Sequence, residues 1–85
     1  MEYFVYILFS HSRDRFYIGS TSELKERVIR HNQNNKGFTG KTADWEIVYT
    51  ETYGLKEDAL KRELQIKKWK SRTMIKKLIA DSKTI

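Results

Sequence analysis

Phe16-Tyr17-Ile18-Gly19-Ser20-Thr21-Ser22-Glu23-Leu24-Lys25-Glu26-Arg27-Val28-Ile29-Arg30-His31 changes its pattern half-way along. An aromatic and β-branched run stops at Gly19, as a strand does. Three hydroxyl residues follow, and Ser20, Thr21 or Ser22 can cap a helix through its side-chain oxygen. Glu23 and Glu26 suit the first turns of that helix, at the positive end of its dipole. Leu24, Val28 and His31 then recur at i, i+4 and i+7, a narrow apolar stripe. Arg27 and His31 lie one turn apart and share a face. A phenol at Tyr17, a guanidinium and an imidazole can therefore converge where a strand hands over to a helix.

Working outward, Tyr3 to Phe9 is apolar at every position. Aromatic and β-branched residues without alternation predict a strand covered on both faces. Polar Ser10 to Arg15 reads as a connection, so Tyr3–Phe9 and Phe16–Gly19 form an antiparallel hairpin. Asn32 to Asp44, rich in Asn, Gly, Lys and Thr, reads as an exposed loop. Trp45 to Glu51 alternates with period two on its Trp45, Ile47, Tyr49 side, a third strand. Past Gly54, Glu57 and Asp58 open a helix to about Trp69. Ser71 can cap a last helix whose core face is Met74, Ile75, Leu78 and Ile79. The order ββαβαα predicts an α+β fold, a small three-stranded antiparallel sheet flanked by helices.

A chain of 85 residues predicts one domain, 1–85, of modest stability. With no cysteine, a disulfide framework and a thiolate metal site are both excluded. No apolar run approaches the roughly 20 residues of a membrane span, and Met1-Glu2-Tyr3 lacks the basic opening of a signal peptide. These features predict a soluble, cytoplasmic protein without a membrane partner. The formal net charge is +6. Nine bases fall between Lys61 and Lys83 against two acids, Glu63 and Asp81, leaving eight bases and nine acids elsewhere. The whole positive excess therefore lies in the C-terminal quarter. A one-sided basic surface concentrates polyanions such as nucleic acid, although lysine also serves as an ordinary solvated helix residue.

On the second helix, Leu55, Ala59, Ile66 and Trp69 cluster on one arc, with Leu60 and Leu64 extending it to one side. Glu63 lies between the two groups, so a carboxylate points into a largely apolar face. An unpaired buried charge is costly, which calls for a base, a hydrogen-bond network or a metal ion. Lys67, one turn on, is the obvious structural partner. Other residues of interest also have ordinary roles. A phenol with its usual pKa of about 10 is a poor base unless positive charge stands nearby. Arg27 can pair with Glu23, and His31 suits a helix end.

Taken together, Phe4-Val5-Tyr6, Tyr17-Ile18-Gly19, Arg27 with His31, and Glu63 on a later helix resemble the GIY-YIG nuclease family from about Tyr3 to Lys77. The resemblance is closest to small standalone, bacterial-type members. It implies a metal-dependent endonuclease that hydrolyses phosphodiester bonds in nucleic acid, with DNA the expected substrate. The family's pattern would make Tyr17 the residue that activates water and Tyr6 the residue that positions it. Arg27 would steady the phosphate, and His31 would assist proton transfer or contact the phosphate. Glu63 would hold one divalent ion, Mg2+ or Mn2+. Gly19 and Ser20 would lie close to the substrate, and Lys36, Lys41, Lys67, Lys68, Lys70 and Arg72 would contact nucleic acid. The chain departs from the pattern at Phe4, where the family name has glycine, and at Ser20, where some members carry lysine. It also has no asparagine between Arg72 and Ile85, where many members carry one. Two further readings stand beside the nuclease. One is a nucleic-acid-binding module that keeps the fold with little or no turnover. The other is an interaction or structural domain, which would leave the site residues scattered over the surface.

Overall fold

The computed structural model describes residues 1–33 and 44–82. Its elements are β1 (Tyr3–Ser10), β2 (Arg15–Thr21), α1 (Leu24–Gln33), β3 (Trp45–Tyr53), α2 (Lys56–Trp69) and α3 (Arg72–Ser82). The order is the predicted ββαβαα, and the sheet is antiparallel in the order β2-β1-β3. Asn32, read as the start of a loop, instead continues α1, and β3 runs two residues beyond Glu51.

β1 has no polar face because it is the central strand with helices on both sides. Val5, Tyr6, Ile7 and Leu8 are all essentially inaccessible. Its register sorts the side chains. Tyr6 stands opposite Gly19 and Thr50, and Leu8 opposite Tyr17 and Ile47, so these share the α1 face. Val5 stands opposite Ser20 and Glu51, on the face covered by α2 and α3. There Val5, Ala59 and Ile66 form the core, packed by Tyr3, Ile18, Tyr53, Trp69, Ile75 and Leu78.

The predicted alternation of β3 is broken by a bulge. Ile7 pairs with Tyr49 but Leu8 pairs with Ile47, leaving Val48 between them. The extra residue flips the pleat. Trp45 and Ile47 therefore lie on the α1 face, whereas Tyr49 lies on the α2 face with Glu51. A half-buried network follows on that side. Glu51 accepts from Tyr53 Oη (2.6 Å), from Arg62 Nε (3.0 Å) and from Tyr49 Oη. Arg62 also lies 5.5 Å from the Trp69 ring centroid.

The inward arc of α2 is narrower than the apolar residues suggested. Ala59 and Ile66 are buried, but Leu55, Leu60 and Leu64 are exposed. Arg62 and Glu63 take the flanks of the arc in their place, each satisfied by a partner across the packing interface. Met74 of α3 is likewise exposed rather than part of the core face. Lys70, in the left-handed region at φ 47°, ends α2. The Ser71 hydroxyl accepts from Met74 N at 3.3 Å, the predicted cap of α3. Among the described residues no helix is long and apolar enough to cross a membrane.

Candidate active site

Three rings meet on the α1 face. Tyr6 reaches it from the central strand, Tyr17 from the neighbouring edge strand, and His31 from the last turns of α1. The Tyr17 and His31 ring centroids are 4.4 Å apart, and Tyr6 stacks on Tyr17 at 6.3 Å. The Tyr6 hydroxyl lies 3.5 Å from His31 Nε2, at the long limit of a hydrogen bond. Tyr6 is buried, whereas Tyr17 is 41% exposed and presents its phenol to solvent. Among the described residues the Tyr17 hydroxyl has no hydrogen-bond partner.

Gly19 makes this stacking possible. A Cβ there would stand 2.5 Å from Tyr6 Oη and 3.2 Å from Tyr17 Cε1. Its missing side chain is thus the space that the Tyr6 phenol occupies.

Across the edge strand, Ser20 projects to the α2 face and donates to Glu63 Oε1 at 2.5 Å. Lys67 Nζ donates to Glu63 Oε2 at 2.6 Å, the partner expected one turn along the helix. Arg27 is exposed and makes no ion pair among the described residues, so the alternative pairing with Glu23 is not formed. Only its backbone N–H bonds the Glu23 carbonyl, at 3.0 Å.

The electrostatics tie these groups together. Burial pushes the Tyr6 phenol up to about 12; the Tyr17 and Glu63 charges act in the same direction, and Arg27 opposes them. Burial, with Arg27 next, holds the His31 imidazole below its usual range. At neutral pH, Tyr6 is therefore a proton donor and His31 an uncharged base. The site residues are not scattered. Tyr6, Tyr17 and His31 touch, and Arg27 and Glu63 lie close enough for their charges to reach the Tyr6 hydroxyl.

The basic residues fall into groups. Lys67, Lys70 and Arg72 line one groove with Arg15 and Phe16, beside an exposed Lys68. Arg72 is partly committed within the fold. It bonds the Asp14 carbonyl at 2.9 Å, pairs with the Asp14 carboxylate, and lies 5.3 Å from the Phe16 ring centroid. Lys36 and Lys41 lie outside the described residues.

Two site neighbours escaped the sequence reading. Trp45 closes the ring cluster, 6.4 Å from Tyr17 and 6.2 Å from His31. Asn32 fixes it there, accepting from Trp45 N at 2.9 Å and donating to Trp45 O at 3.2 Å. This clamp joins the end of α1 to the start of β3 across 13 residues, and no local spacing announces such a contact.

The chain can be compared with known proteins. The GIY-YIG catalytic domain family covers residues 2–77. The chain belongs to the GIY-YIG family. It is a nuclease family, its substrates are nucleic acids, and its members generally use divalent metal ions. Relatives include a UPF0213 protein of Staphylococcus epidermidis, 39% identical over 77 residues, covering 88% of this chain and 92% of the relative. A UPF0213 protein of Staphylococcus saprophyticus is 37% identical over 67 residues, covering 76% of this chain and 79% of the relative. The solution structure of a UPF0213 protein from Bacillus halodurans superposes with a TM-score of 0.58 at 26% identity, covering 94% of this chain and 84% of that one.

Proposed function

We propose that the protein is a divalent-metal-dependent endonuclease that hydrolyses phosphodiester bonds in nucleic acid, with DNA its expected substrate, in the cytoplasm. The observation that carries the reading is the exposed Tyr17 phenol held against a neutral His31, with Arg27 unpaired among the described residues and Glu63 across the edge strand.

Each residue has a task the geometry suits. Tyr17 is the accessible phenol and orients the attacking water. His31, neutral at physiological pH, accepts a proton from Tyr17 or from that water. Tyr6 remains protonated and fixes both rings in place. Arg27, without an ion pair among the described residues, can hold the scissile phosphate through charge-assisted hydrogen bonds.

Among the described residues no three His, Asp, Cys or Glu side chains gather into a metal cluster. The donor set still fits one hydrated magnesium or manganese ion, which commonly takes only one or two carboxylates together with phosphate oxygens. Glu63 is that carboxylate. A bound divalent ion would offset the charge that builds on the phosphate during displacement. For Glu63 to serve, Lys67 must release Oε2, while Ser20 can continue to steady Oε1. Gly19 and Ser20 then flank the substrate, and Lys67, Lys68, Lys70 and Arg72 contact the polyanion in a weak, salt-sensitive manner.

The test is nicking of supercoiled plasmid at low salt with magnesium or manganese. The parent should cleave, and Glu63→Ala and Tyr17→Phe should not. Cleavage retained in both variants refutes the site. The Lys67–Glu63 pair favours a second reading, a nucleic-acid-binding module with little turnover. Plasmid binding by the parent without metal-dependent nicking would select it.

A further inference from the structure

A cleft of about 320 Å³ opens between the β2–α1 junction and the start of α2. Its floor is the hydroxyl run Ser20, Thr21 and Ser22, with Arg27 and Lys56 among its lining residues. Tyr3 and Met1 contribute apolar lining, and among the described residues no carboxylate lines the cleft, although Ser20 donates to Glu63 beside it. Among the described residues neither Arg27 nor Lys56 is within ion-pair distance of an acid. The Ser22 hydroxyl also makes no hydrogen bond among these residues. Glu57 and Asp58 follow Lys56 in sequence, but successive helix positions diverge by about 100° and neither residue lines the cleft.

Two cations without acid partners among the described residues, with the unbonded Ser22 hydroxyl beside them, form an anion site. The cleft shares two residues with the site just described. Ser20 touches Glu63, and the Arg27 charge acts on Tyr6 and His31. An anion held here would lie next to a phosphate held by Arg27 and Glu63, and for a polymeric substrate it would be a neighbouring phosphate of the strand.

We infer that Lys56, across the cleft from the Arg27 that holds the scissile phosphate, binds the backbone phosphate next to it. Lys56, at the first position of α2, is a substrate-binding residue of the enzyme. The inference rests on the nuclease reading. Its distinctive content is that Lys56 counts among the phosphate contacts although it stands apart from the basic C-terminal helices.

The test measures binding of a fluorescein-labelled 12-base-pair DNA duplex by anisotropy between 25 and 200 mM salt, in EDTA so that no cleavage occurs. Lys56→Gln should weaken binding several-fold at low salt. It should also reduce the slope of log K against log salt by about 0.7–0.9, the value of one lost phosphate contact. Lys61→Ala removes the same charge from an exposed position on α2 outside the cleft, and should change the slope less. The Lys56→Gln and Arg27→Ala losses should be less than additive in the double variant if both side chains hold one stretch of backbone. Equal slopes for Lys56→Gln and the parent overturn the inference while leaving the nuclease reading standing. A parent that fails to bind at 25 mM salt removes both. A parent that binds with the expected Lys56 dependence but never nicks plasmid keeps the phosphate site and overturns the catalytic reading.

Discussion

Replacing Gly19 with alanine tests whether the tyrosine pair depends on the missing side chain. The new methyl would stand 2.5 Å from Tyr6 Oη, 2.8 Å from Tyr6 Cζ and 3.2 Å from Tyr17 Cε1. The far end of a flexible side chain could move away cheaply, but Tyr6 is a rigid ring only 1% exposed. Relieving the clash means shifting the ring, the strand or both. Overpacking of this kind costs about 1–3 kcal/mol. In a domain of this size each kcal/mol corresponds to roughly 4–8 °C, so Tm should fall by about 4–24 °C. Thermal unfolding followed by circular dichroism measures this directly. Gly54→Ala is the control, because among the described residues nothing crowds a Cβ there within 4 Å and its backbone is outside the left-handed region. That variant should be unchanged or gain about 0.4–1 kcal/mol from a less flexible unfolded chain. Tyr6→Phe removes the atom nearest the clash, so it should cost less in the Gly19→Ala background than in the parent. Strict additivity of the two changes, or a Gly19→Ala protein that melts with the parent, would refute the steric argument. Plasmid nicking should fall with Tm in this variant, because both phenols are displaced together.

Three further outcomes follow from the same geometry. Glu51→Gln should destabilise by about 1–3 kcal/mol in urea titrations, because it loses the charge-assisted bonds from Arg62 and disturbs those from Tyr49 and Tyr53; an unchanged midpoint would show the network to be idle. Because folding lowers the His31 pKa, the unfolded chain binds more protons below about pH 6.5, and stability should decline from there as pH falls towards the folded value. His31→Gln should flatten that decline in urea midpoints measured at pH 7.5 and 5.5, and an identical pH dependence would contradict it. Lys67→Gln frees Glu63 Oε2 from its ammonium partner, so manganese should bind several-fold more tightly by titration calorimetry; weaker binding would mean that Glu63 is not where the ion sits.

Local pattern alone carried the element order. The apolar run of β1 predicted a doubly covered strand, and the structure buries Val5 to Leu8 between helices on both faces. The switch from the Phe16–Gly19 strand to the Leu24 helix was equally visible, as was Ser71 at the start of α3. These signals lie within a few residues of one another and follow from backbone geometry, so no knowledge of the rest of the fold is needed to read them. Tyr17, Arg27, His31 and Glu63 stood out by type and spacing, whereas Tyr6 and the roles of all five came from the resemblance to the GIY-YIG family.

Only the tertiary structure decided how those residues meet. The bulge at Val48 sends Tyr49 to the α2 side and leaves Trp45 beside His31, against the period-two reading of β3. Partnerships of Glu63 with Ser20, of Asn32 with Trp45, and of Glu51 with Arg62 join different elements. So does the cleft that brings Lys56 to Arg27. The exposure of Leu60 and Leu64 was hidden for the same reason, since periodicity marks an apolar face without saying how much of it a three-stranded sheet can cover. A sequence states which faces a chain presents; which face meets which is set by long-range pairing and packing, and those are properties of the folded whole.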